Sequence, residues 1–152
     1  MILLIASIAV VGAGLFPSGR SLGRRVYWIA AMPLGGAFVW LLARAGRIID
    51  GDVDVQHVDW VPALGIGIDL RLDGFGLLMA LLVTGIGAAV CVYAAAYFSE
   101  TASGLGRSAG LLLMFAAAML VVVLADNLLL LYTGWELTSI TSYLLIGNDH
   151  TK

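Results

Sequence analysis

Residues 128–147 read LLLLYTGWELTSITSYLLIG, a run of the length that crosses a hydrocarbon layer as one helix. It is read as the most membrane-like stretch of the chain, and Glu136 sits near its middle. An ionised carboxylate at that depth costs roughly 2.5–3.5 kcal/mol on insertion scales, so a buried acid there must be matched by a partner or a function. At 100° per residue, Tyr132, Glu136, Ser139, Tyr143 and Gly147 fall on one stripe, while Leu130, Leu137, Thr141 and Leu144 point elsewhere. Hydroxyls above and below the carboxylate predict a wetted seam facing protein. Burial disfavours the charged form of a carboxyl and a nearby cation favours it, so a movable lysine or a water wire could toggle the group. A plainer role, a hydrogen-bonded glutamate that only fixes helix packing, stands beside this one. The hydroxyls of Thr138, Ser139, Thr141 and Ser142 have their own plain reading as donors to carbonyls of the preceding turn, and Trp135 reads as packing.

Outward from this run, the chain is 61% hydrophobic and 12% charged, with a mean hydropathy of +1.02. An average soluble domain carries about 25% charged residues, so lipid is the expected solvent for most of this protein. Five apolar segments stand out, Met1–Phe16, Val26–Ala43, Gly74–Phe98, Ala109–Leu124 and Leu128–Gly147. Their apolar residues run continuously instead of alternating, which excludes a membrane β-barrel and predicts helices. The first segment has no Lys or Arg before it, and Pro17-Ser18-Gly19-Arg20 lacks a small-residue cleavage site, so it reads as a retained span. The expected fold is an all-α membrane protein of about five transmembrane helices, one domain over residues 1–152.

Short cytoplasmic loops keep Lys and Arg. The first connection carries Arg20, Arg24 and Arg25 without an acid. The second carries Asp50, Asp52, Asp54, Asp59, Asp69 and Asp73 against Arg44, Arg47 and Arg71; the third, near Glu100 and Arg107, is balanced, and Lys152 follows the fifth span. This predicts a multi-pass cell-membrane protein with its N-terminus outside and its C-terminus in the cytoplasm. In the second connection Ile66, Ile68, Leu70 and Leu72 alternate with Gly67, Asp69, Arg71 and Asp73, the period of a strand with one covered face. Upstream, Val53 and Val55 alternate with Asp52, Asp54 and Gln56, and Pro62 and Gly65 lie between, predicting an extracytoplasmic β-hairpin that turns near Ala63. Asp73 then reads as the N-cap of the third helix, with Leu72 and Leu77 at the positions of a hydrophobic staple.

Glycines at 12, 14, 35, 36, 85 and 87 predict close helix packing. Cys91 reads as a small buried hydrophobe, and a lone cysteine excludes an intrachain disulfide. Asp126 and Asn127 separate the fourth and fifth segments; both can cap the following helix, or form a polar entrance to the Glu136 seam. His57, amid Asp54 and Asp59, has no second His or Cys nearby and reads as a solvated loop residue, not a metal ligand; His150 reads as a terminal-loop residue. No nucleotide-binding Gly-Lys loop, C-x-x-C or haem-attachment motif is present and no histidine lies in a span, so no cofactor and no bound metal are expected. The net charge of −2, without a basic run, implies no nucleic-acid partner.

The run Leu124 to Gly147, LADNLLLLYTGWELTSITSYLLIG, resembles the fourth-to-fifth helix region of the antiporter-like membrane subunits shared by Mrp-type cation/proton antiporters and respiratory NADH:quinone oxidoreductase. Trp60 to Leu82, WVPALGIGIDLRLDGFGLLMALL, is similar to the outer hairpin of those proteins running into helix three. ELTSITSYLLIG looks more like the A component of the Mrp type, while Gly134-Trp135-Glu136 is also similar to the large respiratory pump subunit. The resemblance implies that Glu136 matches the fifth-helix glutamate, which in the family pairs with a lysine on a later, broken helix. No lysine appears here before Lys152, and the broken helices are not in the sequence; the expectation is a fragment, a truncated reading frame or one half of a split protein. Three functions follow. One is the N-terminal part of the A component of a Na⁺ or K⁺/H⁺ antiporter, a transporter and not an enzyme, working with other membrane subunits in the bilayer and with Glu136 in the proton pathway. The others are a proton-pumping subunit of the respiratory enzyme and a non-transporting remnant.

Overall fold

The computed structural model describes residues 1–17, 22–61, 66–98 and 104–147. Among these residues lie five helices and one hairpin: α1 (Ile2–Leu15), α2 (Arg25–Ile49), β1 (Asp54–Val61), β2 (Ile66–Leu72), α3 (Gly74–Tyr97), α4 (Leu105–Leu124) and α5 (Leu128–Ile146). The hairpin turn near Ala63, along with Arg20, Glu100, His150 and Lys152, lies outside the described residues.

Among the described residues three helices, α2, α3 and α4, are by length and composition long and apolar enough to cross a membrane. Five helices stand where five apolar segments were expected, and three of them meet this measure of length and apolarity. At 14 residues α1 is about 21 Å long, short of a hydrocarbon core about 30 Å thick. The 19 residues of α5 do not reach the apolarity of the other three, because Glu136 and the hydroxyl residues Thr133, Thr138, Ser139, Thr141 and Ser142 dilute its leucines. It is therefore not the most membrane-like run. Helix α2 runs beyond the expected end at Ala43 to Ile49, since Arg44 finds both a ring and an acid: its guanidinium lies 3.8 Å from the Trp40 ring centroid and 2.9 Å from Asp54.

Helix α4 is the hub, packing against α1, α2, α3 and α5, and α2 and α3 form the other long contact. Small residues set these distances. A Cβ added to Gly110 would fall 2.7 Å from the Gly12 carbonyl oxygen and 2.9 Å from the Phe16 ring, and one added to Gly12 would meet Leu113 at 3.0 Å. Gly85 and Gly87 of α3 similarly receive Phe38 and Leu34 of α2. Of the six glycines expected at contacts, Gly14, Gly35 and Gly36 could each take a Cβ that meets no atom within 4 Å, whereas Gly110 and Gly134, not anticipated, are contact points. Cys91 is fully buried, as expected of a small hydrophobe.

The strands pair antiparallel, with Asp54 opposite Leu72, Gln56 opposite Leu70 and His57 opposite Asp69. Leu70 and Leu72 are buried, as the alternation of β2 predicts. On β1 the covered face is the polar one, because its partners wait there: Asp54 pairs with Arg44, and the Gln56 side-chain oxygen accepts from the Ile2 amide at 3.0 Å. Val55 is left 59% exposed on the outer face. The Ile2 contact puts the start of α1 on the hairpin's side of the bundle.

Asp73 caps α3, its carboxylate accepting from the Gly76 amide at 2.8 Å, and the staple residues Leu72 and Leu77 are both buried. Asp73→Ala is expected to cost about 1 kcal/mol, as N-cap losses do, and Asp73→Asn almost nothing; thermal unfolding of the detergent-solubilised protein compares the two.

Candidate functional site

The start of α5 is held by an interlocked polar network. Asn127 is its N-cap, with Oδ1 accepting from the Leu130 amide at 2.7 Å. The other end of the same amide donates to Asp69 Oδ2 at 2.6 Å and to the Gly67 carbonyl at 3.1 Å. Asp126, expected as a cap, instead receives Arg71 Nε at 2.8 Å, and its backbone amide donates to the Asp69 carbonyl at 2.9 Å. A single bridge between Leu70 and Ala125 completes the seam. The hairpin and the α4–α5 connection, more than fifty residues apart in sequence, thus form one unit. Local sequence patterns signal caps and strands, but nothing local in them pairs Arg71 with Asp126.

From this anchored start α5 runs along α4. The contact face is Gly134, against Val121 and Val122, and Thr141, which is 7% exposed. The stripe of Tyr132, Glu136, Ser139 and Tyr143 lies on the opposite side, exposed from the rest of the described chain, with Tyr132 at 61% and Tyr143 at 77%. The Tyr132 phenol interacts with the Glu136 carboxylate one turn on. Ser139 instead donates to the Trp135 carbonyl at 3.1 Å, and Thr133, Thr138 and Thr141 likewise bond carbonyls of their own helix. Trp135, read as a packing residue, is 62% exposed beside Glu136. The four stripe residues therefore share a face, and that face is turned away from α4.

His57 is in strand β1 and not in a loop; it is solvent-exposed, with Nε2 3.0 Å from Asp59 Oδ1 and Nδ1 hydrogen-bonded to Asp69. The Asp69 and Asp59 carboxylates raise its pKa above the ordinary histidine value, while the His57 and Asn127 hydrogen bonds hold Asp69 below the usual carboxylate range. Among the described residues no His, Cys, Asp and Glu cluster has the arrangement of a metal site.

Residues 60–107 match the family described as NADH-Ubiquinone oxidoreductase (complex I), chain 5 N-terminus. Over 110 residues, 72% of this chain, the sequence is 43% identical to the A1 subunit of the Na(+)/H(+) antiporter of Staphylococcus aureus strain JH9, and the A1 subunit of strain Newman matches equally. The chain spans 14% of the length of these relatives. In a solved Mrp complex from Dietzia sp. DQ12-45-1b, one chain superposes with a TM-score of 0.83 at 33% identity, covering 99% of this chain and 16% of that one. These matches make the chain a homologue of the antiporter-like membrane subunits. Within that class the chain is a homologue of the N-terminal portion of the A1 subunit of Mrp-type Na⁺/H⁺ antiporters.

Proposed function

We propose that residues 1–152 form the N-terminal transmembrane domain of a longer antiporter-like subunit that exchanges Na⁺ or K⁺ for H⁺, and that Glu136 carries the proton. The observation that carries this reading is the 43% identity to the A1 subunit over a segment that includes most of the chain. Tyr132, Ser139 and Tyr143 form the polar seam around the carboxylate, and Asp126 and Asn127 lie at its entrance. The seam is exposed on the side away from α4, which suits a face covered by later helices of the longer protein, where a cationic group would sit opposite the acid. Other membrane subunits of the complex are the partners. The arginines before α2 and the acids of the hairpin connection support an N-terminus outside and a C-terminus in the cytoplasm.

A second reading, a proton-pumping subunit of the respiratory enzyme, draws on the match of residues 60–107 to the complex I family. One exchange experiment separates them. Residues 1–147 replace the matching segment of a Staphylococcus A1 subunit in its complete complex, and Na⁺-driven proton movement is followed in everted vesicles. Retained antiport is expected; an assembled complex without antiport overturns the antiporter reading.

A further inference from the structure

The outer face of the hairpin holds a proton-binding arrangement that the transport reading does not use. The His57 imidazole bridges two carboxylates, Asp59 on its own strand and Asp69 directly across the pair. Its seat is Gly67: a Cβ there would lie 2.5 Å from the ring's Cε1, so a side chain at this position would displace the imidazole from where it now lies. Gly67 and Asp69 are also the two residues that receive the Asn127 amide, so the ring and the cap of α5 hold the same pair of residues.

We propose that His57, seated over Gly67 between Asp59 and Asp69, is a proton-operated clasp that fastens the hairpin to the start of α5. An imidazolium has two N–H donors and satisfies both carboxylates; a neutral imidazole has one donor and one lone pair. On deprotonation one ring nitrogen therefore turns a lone pair toward a carboxylate oxygen, and the charge that separates Asp59 from Asp69 is gone. The ring leaves its seat, and Asp69 keeps only Asn127 to orient it. The other charged groups around the clasp are already committed, Arg71 to Asp126 and Arg44 to Asp54, so neither replaces the lost cation.

The sign follows from the raised His57 pKa. The clasp is fully engaged below the free histidine value of about 6.5 and opens as pH rises through the higher folded value. Asp69, held low by His57 and Asn127, stays ionised throughout that window.

Amide hydrogen exchange of the full-length protein in its native membrane tests the clasp without any transport readout. After correction for intrinsic exchange, protection of the Asp126 and Leu130 amides is expected to fall as pH rises from about 6 to about 8.5, by up to about fivefold, the upper end for an exposed ion pair. His57→Gln removes the step. Gly67→Ala, which keeps every charge, leaves protection low at all pH values. Asp59→Asn moves the midpoint to lower pH, and because it alters only an exposed side chain it serves if the other variants fail to fold. Flat protection in the natural protein, a step that survives His57→Gln, or a midpoint unmoved by Asp59→Asn overturns the proposal.

Discussion

Glu136→Gln in the full-length protein is expected to abolish proton-coupled cation exchange while the complex still assembles. Glutamine keeps the shape and the capacity to bond Tyr132, but it cannot take up or release a proton. Losing a positioned proton-transfer group costs about two orders of magnitude or more in rate, and that is the loss anticipated in a vesicle assay of cation-driven proton movement. Glu136→Asp keeps the chemistry on a shorter arm and is expected to retain partial activity. The comparison distinguishes proton carriage from helix packing. A carboxylate that only packed would tolerate the isosteric amide, and α5 meets α4 through Gly134 and Thr141, not through residue 136. Unchanged exchange in Glu136→Gln would remove Glu136 from the pathway.

The largest stability effect is expected at Gly110. The 2.7 Å approach to the Gly12 carbonyl is to backbone, which cannot rotate aside, so Gly110→Ala must push α1 away from α4. Overpacking of this kind costs about 1–3 kcal/mol, and α1 buries Ile8, Gly12 and Leu15, all of which move with it. Gly12→Ala strains the same crossing, so the double variant should cost less than the sum of the two single ones. Gly35→Ala, where no atom lies within 4 Å, is the control and should be neutral or mildly stabilising, since alanine has the better helix propensity. Thermal unfolding of the solubilised protein reads all four. Equal melting of Gly110→Ala and Gly35→Ala would show that the two helices can part without cost.

Features encoded within a few residues were legible in advance. The Asp73 cap rests on a carboxylate three residues before a free amide, Asn127 has the same relation to Leu130, and the alternation over residues 66–72 marks the buried side of β2. The stripe of Tyr132, Glu136, Ser139 and Tyr143 also follows from helical spacing alone. What that spacing does not contain is which neighbour the stripe faces, because an exposed and a partner-covered polar face have the same period. The outward turn of Val55 was hidden for a related reason. Alternation assigns residues to two faces, and the choice between them was made by Arg44 and the Ile2 amide, distant groups that satisfy Asp54 and Gln56. Gly110 gives no local signal, being one glycine in an alanine-rich helix; its meaning lies in Gly12, ninety-eight residues away.

Fastening α5 through Asn127 makes the helix a lever with its fulcrum at the hairpin. Residue 136 lies about 14 Å along the axis from that point at 1.5 Å per residue, so a tilt of about 10° carries it sideways by about 2.4 Å. A displacement of that size is enough to make or break a hydrogen bond at the carboxylate while the pivot itself stays in place.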